Sequence, residues 1–233
     1  MELGPLVSDF KPPPHPKGIS LDGNLVQLVP MEAEEHAEAL FEANQLDTEG
    51  TNWAYLPYGP FADLKSYHSW VRENQGLEDP VFLAIVEKLS GRPLGIASYL
   101  RIHPAEGSIE VGHIHFSPLL QRTTSATESM FLMMQWAFEA GYRRYEWKCN
   151  ALNQASRRAA QRLGFSFEGI FRQMMIVKGR NRDTAWFAAI DSEWPALKTA
   201  FERYLDEKNF DEEGRPVTSL SSLTAPLLHK KDV

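Results

Sequence analysis

Residues 109–169, IEVGHIHFSPLLQRTTSATESMFLMMQWAFEAGYRRYEWKCNALNQASRRAAQRLGFSFEG, decide the fold. The opening IEVGHIHF reads as a strand. A polar run at 120–127 leads into residues 128–140, apolar nearly all round, which predicts a buried helix closed by Gly141. Residues 144–149 read as a second strand. Asn150, Asn153 and Ser156 follow it, and residues 154–163 read as another helix, stopped by Gly164. A polar loop feeding a helix start presents free backbone N–H groups and the positive end of a helix dipole. Two strand ends that each deliver polar groups beside a helix start make a cleft suited to an anionic cofactor.

Three strands precede this stretch or open it. Residues 81–87 (VFLAIVE), 94–103 and 108–116 are separated by the turn Ser90-Gly91-Arg92-Pro93 and a second turn at 104–107, so they form an antiparallel meander. Further upstream, residues 21–30 read as a first strand. Residues 31–44 and 61–74 carry apolar residues at helical spacing. Between those helices lies TNWAYLPYGP, aromatic and irregular. Downstream, residues 167–177 and 184–190 read as a hairpin around Lys178-Gly179-Arg180-Asn181. A last helix covers 194–205, with Pro195 in its first turn. The fold class is therefore α/β (α+β), a mixed central sheet with helices. The Pro-rich residues 1–20 read as an extended arm, 21–207 as the domain, and 208–233 as a tail.

The bulk composition excludes several function classes. The chain has 233 residues, 43% of them hydrophobic, and a net charge of −7. No long Lys/Arg run marks a nucleic-acid footprint. No apolar stretch of about 18 residues predicts a membrane span. The single cysteine, Cys149, allows no internal disulfide and fits a reducing compartment. The N-terminus has no signal-peptide core. A soluble, cytoplasmic protein without a metal is expected.

The order and spacing of these segments resemble a GNAT-type acyl-CoA N-acyltransferase of the RimJ/RimL-like branch. The matching segments are IEVGH, QRTTSATE, WKCNALNQASRRAAQRLGFSFEG and IFRQMMIVKGRNRDTAWFAAIDSEWPALK. The resemblance runs over about residues 25–205. It implies a splayed central sheet flanked by helices on both sides, acetyl-CoA as donor, and direct transfer to a primary amine in a ternary complex. The acceptor would be a peptide N-terminus, an amino acid or a small amine. A catalytically inactive acyl-CoA sensor or interaction module is the alternative, and the arm and tail leave room for a homodimer.

The resemblance also implies roles for particular residues. The loop would wrap the cofactor pyrophosphate with Gln121, Arg122, Thr123, Thr124, Ser125, Ala126 and Thr127, next to Phe116 on the strand before it. Thr124 stands where the family often has glycine. Its Cβ would crowd the phosphates, or its hydroxyl would bind them. Asn153 would contact the pantetheine arm, Ser156 would protonate the leaving thiolate, and Arg157 would pair with a phosphate. Both Asn153 and Ser156 equally suit a helix cap.

Glu110 is a carboxylate inside an otherwise apolar strand, which calls for a partner or a function. It is read as general base or as an anchor for the amine, against an ion pair with Arg101 or Arg172. Alternation along the strand places His113 and His115 on the face opposite Glu110. Trp53, Tyr55 and Tyr58 are the candidates for lining the acceptor pocket. Arg182-Asp183-Thr184 and Glu193-Trp194-Pro195 are read as structural. A strand N–H within 114–116 would hold the oxyanion. An α-amine, with a pKa near ~8 against ~10.4 for lysine, is the acceptor that needs the weaker base.

Overall fold

A computed structural model describes residues 3–232. Among them, eight strands form one sheet: β1 (Leu21–Asp22), β2 (Val26–Pro30), β3 (Val81–Glu87), β4 (Pro93–His103), β5 (Ser108–Phe116), β6 (Arg144–Asn150), β7 (Ser166–Val177) and β8 (Arg180–Ile190). Their order is β1-β2-β3-β4-β5-β6-β8-β7. Only the β5–β6 pair is parallel; its crossover carries the helix α3 (Thr124–Glu139). The other helices are α1 (Ala33–Asn44), α2 (Leu64–Asn74), α4 (Gln154–Arg162), α5 (Trp194–Leu205) and α6 (Leu220–Thr224). No helix among the described residues is long and apolar enough to cross a membrane.

Strand alternation sends neighbouring side chains into two separate cores. Phe82 and Ile96 join Leu40, Tyr67 and Val71 under α1 and α2. Leu83, Ala97, Val111 and Tyr145 join Met133, Met134, Phe165 and Phe201 on the side of α3, α4 and α5. The sheet is thus covered on both faces, as expected of this fold class. Asp63 starts α2 through a capping box, accepting the Ser66 N–H at 2.8 Å. Gly164 ends α4 with φ +90°, and a Cβ there would sit 2.3 Å from Leu197 of α5.

One irregularity decides where chemistry can occur. β5 and β6 pair only from Ser108/Arg144 to Val111/Trp147. Beyond that, β5 runs on to Phe116 and β6 to Asn150 without pairing, so the sheet splays open. On the other edge of β5, Ser98 pairs with Gly112 but Ile96 pairs with His115. The extra β5 residue is a bulge, with His113 at φ +50°.

Several boundaries differ from the sequence reading. The strand expected at 21–30 is two short strands around Gly23-Asn24. Buried Glu128 of α3 holds that turn by accepting the N–H groups of Asn24, Leu25 and Val26 at 2.7–2.9 Å. Helix α3 starts at Thr124 rather than at 128, because Thr123 caps it and draws the end of the polar loop into its first turn. Residues 208–232, set apart in sequence as a tail, pack on the domain. Leu220 is fully buried, Thr224 Oγ1 donates to the Arg162 carbonyl at 3.0 Å, and the Phe167 N–H donates to the Lys230 carbonyl at 2.9 Å. The N-terminal arm lies along the surface, its Pro14 carbonyl accepting from the Tyr142 hydroxyl at 3.1 Å.

Candidate active site

The cleft opens where β5 and β6 part, with a cavity of about 230 Å³. Glu110 and Gly112 of β5, Lys148 of β6 and Arg182 of β8 line it, together with Asn153 and Ser156 from the start of α4. Tyr55, Leu56 and Pro57 approach from the loop between α1 and α2, and Met175 and Val177 from β7. Sequence segments more than 100 residues apart are thus brought to one point, because the splay leaves β5 and β6 without each other's backbone.

Next to the cleft, the 120–127 loop enters α3. Thr123 Oγ1 accepts the Ala126 N–H at 3.0 Å and donates to the Leu120 carbonyl at 2.7 Å. Arg122 takes a left-handed φ of +62°. Among the described residues, no hydrogen bond engages the backbone N–H of Arg122, Thr124 or Ser125. Three such donors at a helix start suit a pyrophosphate. Gln121 Nε2 donates instead to Asn52 Oδ1 (2.8 Å) and to the Phe116 carbonyl (2.9 Å), tying this loop to the one after α1. Ala126 and Thr127 are buried, and Thr127 Oγ1 accepts from Arg162 at 3.0 Å. Residues 121–125 therefore face outward, and 126 and 127 face the core.

At α4, Asn153 both caps and lines the cleft: its Oδ1 accepts the Ser156 N–H at 3.1 Å. The Ser156 hydroxyl accepts from Trp147 Nε1 at 3.0 Å. An indole N–H can only donate, so the serine keeps its own proton for another acceptor. The neighbouring Cys149 thiol is pushed up by burial, which makes it a poor nucleophile. Arg157, the candidate phosphate partner, is engaged within the protein. It forms a two-pronged pair with Asp232 and donates to the Ala151 carbonyl at 2.9 Å.

Glu110 is only 3% exposed. Arg101 Nη1 donates to its Oε1 at 2.7 Å, one of the two ion-pair partners read from sequence. Lys148 Nζ lies 2.8 Å from Oε2, an ion-pair contact outside good hydrogen-bond angles. The same ammonium reaches Glu146 at 2.7 Å and sits 3.7 Å from the centre of the Trp186 ring. Burial pushes the Glu110 carboxyl above the usual carboxylate range, against the pull of Arg101 and Lys148. Arg101 can reach Glu110 because a second bulge gives it φ +46°, held by Asp79, whose carboxylate accepts the N–H groups of Arg101 and Ile102.

The bulge at His113 overturns the alternation argument for the histidines. His113 lines the same cleft as Glu110, its Nδ1 3.2 Å from the Tyr58 hydroxyl. His115 stacks on Trp53 at 3.7 Å between ring centres. Burial pulls both imidazoles down to about 4, so both are neutral near pH 7. Of the three aromatic candidates, Tyr55 lines the cleft, and its hydroxyl donates to the Leu152 carbonyl at 3.3 Å across it. Trp53 is 5% exposed and Tyr58 packs against Trp70 and His113, so these two form the wall behind. Lys178, at the tip of the β7–β8 hairpin, donates to the Trp53 and Gly59 carbonyls and pins that loop.

Lys148 and Arg182 join the site only in the folded structure. Lys148 carried a signal: in RYEWKCN, Glu146 and Lys148 alternate with buried Tyr145, Trp147 and Cys149, marking a charged face on an interior strand. Arg182, read from sequence as structural, reaches the cleft through the register of β8 against β6.

Known proteins share this architecture. Residues 26–166 match the family model described as an acetyltransferase (GNAT) domain. A GCN5-related N-acetyltransferase of Brucella melitensis is 43% identical, with a TM-score of 0.91 over 94% of this chain and 100% of that one. A probable GNAT-family acetyltransferase of Chromobacterium violaceum is 41% identical, with a TM-score of 0.78 over 84% of this chain and 98% of that one. The microcin C7 self-immunity acetyltransferase MccE, solved with acetyl-CoA and AMP, shares the fold at 19% identity and a TM-score of 0.60, over 72% of this chain and 93% of that one. No curated protein matches significantly. With more than half of its length inside the family model and a close structural relative over nearly all of it, the chain belongs to the GNAT acetyltransferase family, whose members are acyl-CoA-dependent N-acyltransferases.

Proposed function

We propose that the protein moves an acetyl group from acetyl-CoA to a primary amine by direct transfer, without an acyl-enzyme. One observation carries this reading: the splay between β5 and β6 joins a phosphate-type helix start to a buried, charged cleft, and Ser156 stands in that cleft with a proton to give. The RimJ/RimL-like placement rests on the sequence segments quoted above.

The free N–H groups of Arg122, Thr124 and Ser125 fit the pyrophosphate of acetyl-CoA, and Thr124 fits as the first residue of α3. When bound, that donor supplies an activated thioester. Asn153 orients the arm. Past Val111 the β5 edge has lost its β6 partner, and an N–H within 114–116 takes the oxyanion. The amine nitrogen forms the new C–N bond as the C–S bond breaks. Ser156 gives its proton to the departing sulfur and is restored by the proton that Glu110 takes from the amine. Glu110, with both oxygens held by cations, takes the amine proton through a water rather than directly. The surrounding positive charge favours a neutral, nucleophilic amine.

Calorimetric titration with acetyl-CoA, followed by thiol release over a panel of amines, tests this. Micromolar binding with release by one amine class is expected. Binding without release by any amine would favour the inactive acyl-CoA module, and absence of binding would defeat the whole reading.

A further inference from the structure

Arg182 is a cation that the mechanism does not use. It lies on β8, on the same face of the sheet as Lys148 and Glu110, and its side chain lines the cleft. Among the described residues it makes no ion pair and no side-chain hydrogen bond, and its Nε is buried without a partner. The other cations of the cleft differ: Arg101 is paired with Glu110, and Lys148 with both Glu110 and Glu146. Three cations therefore face two carboxylates, Glu110 and Glu146, inside a chain whose net charge is −7. Arg182 also lines a second, adjoining cavity of about 390 Å³, with Met174, Thr184 and Trp186. No residue of the 120–127 loop lines that cavity.

A half-buried guanidinium whose Nε is out of water and unbonded suits a ligand that can accept from it. Arg182, Cys149 and Ser156 line the same cleft, so an anion on Arg182 would share it with the point of acyl transfer. We infer that the acceptor is an amine that also carries an anionic group, a carboxylate or a phosphate, and that Arg182 binds this group while the amine meets the thioester. The inference rests on the acetyl-transfer reading above. Holding the anion would orient the nitrogen, which is where a two-substrate transfer gains much of its rate.

The test compares matched acceptors in the wild type and in R182M, R182Q and R182K, all with acetyl-CoA. The acceptors are the common α-amino acids, their amides and decarboxylated amines, with O-phosphoethanolamine beside ethanolamine. At least one carboxylate- or phosphate-bearing amine should exceed its uncharged partner about tenfold or more in kcat/KM. R182M and R182Q should remove that preference, chiefly through the acceptor KM, while leaving the KM for acetyl-CoA within about threefold. R182K should restore part of it, because a point charge replaces the fork. Which arm responds separates carboxylate from phosphate. Equal use of charged and uncharged amines, a variant that lowers both equally, or acetyl-CoA bound with no response from any anionic amine would overturn the inference. Failure of the parent reading would show differently, as wild-type protein that does not bind acetyl-CoA.

Discussion

Replacing Glu110 by glutamine tests the catalytic centre most directly. The side chain keeps its shape but loses the charge held between Arg101 and Lys148. If Glu110 takes the amine proton through water, kcat should fall about 10²–10⁴-fold. The pH profile is the sharper readout. Burial raises the Glu110 carboxyl above its ordinary ~4.3, so the wild-type rate should fall on acidification at a pH above that value, and E110Q should lack this limb. The stability effect has the opposite sign from an ordinary paired carboxylate. A raised folded-state pKa means that the native state binds the proton more tightly, so this group's contribution is most favourable at low pH. It declines as pH rises from the unfolded value through the raised folded one. Removing a buried pair's partner costs ~3–5 kcal/mol where the remaining charge is stranded. Here Lys148 keeps Glu146, and the Arg101 side chain is 43% exposed, so E110Q should cost less than that and remain folded. Steady-state rates from pH 5 to 9, with urea unfolding of both proteins, make the measurement. An unchanged rate and an intact acid limb would remove Glu110 from the mechanism; a lower rate with the limb intact would leave it only a positioning part.

Three further outcomes are expected. Thr124→Pro deletes one free N–H at the first position of α3, where proline is tolerated and the preceding Thr123 is already extended (φ −95°, ψ 164°). Acetyl-CoA binding by calorimetry should weaken about tenfold or more, as for a lost hydrogen bond to a charged group, with thermal stability nearly unchanged. Ser156→Ala should lower kcat about 10–100-fold with little change in KM, and a thioester whose leaving thiol is more acidic should recover much of the loss. Glu128→Ala strands the N–H groups of Asn24, Leu25 and Val26. It should destabilise the protein by about 2–4 kcal/mol in urea unfolding without altering the chemistry of the remaining folded fraction.

The fold was legible in sequence because it rests on local periodicity. The meander, the buried helix α3, the Asn-x-x-Ser start of α4 and the closing hairpin each announce themselves within about ten residues. The polar loop before α3 and the lone carboxylate of IEVGHIHF were visible for the same reason. Pairing was not visible. The bulges at Arg101 and His113 arise from register between strands, and they turn His113 into the cleft and aim Arg101 at Glu110. Residues 208–232 lack a strong period, yet they pack because α4 and β7 offer them a surface. Arg157 suited a phosphate until the fold brought Asp232 to it, and Arg182 looked like a hairpin residue until β8 carried it to the cleft. Amino-acid order sets which elements form, through propensities and spacings of a few residues. Which charges meet, and which one is left over, is set by contacts between segments far apart in the chain, and only the tertiary structure decides those.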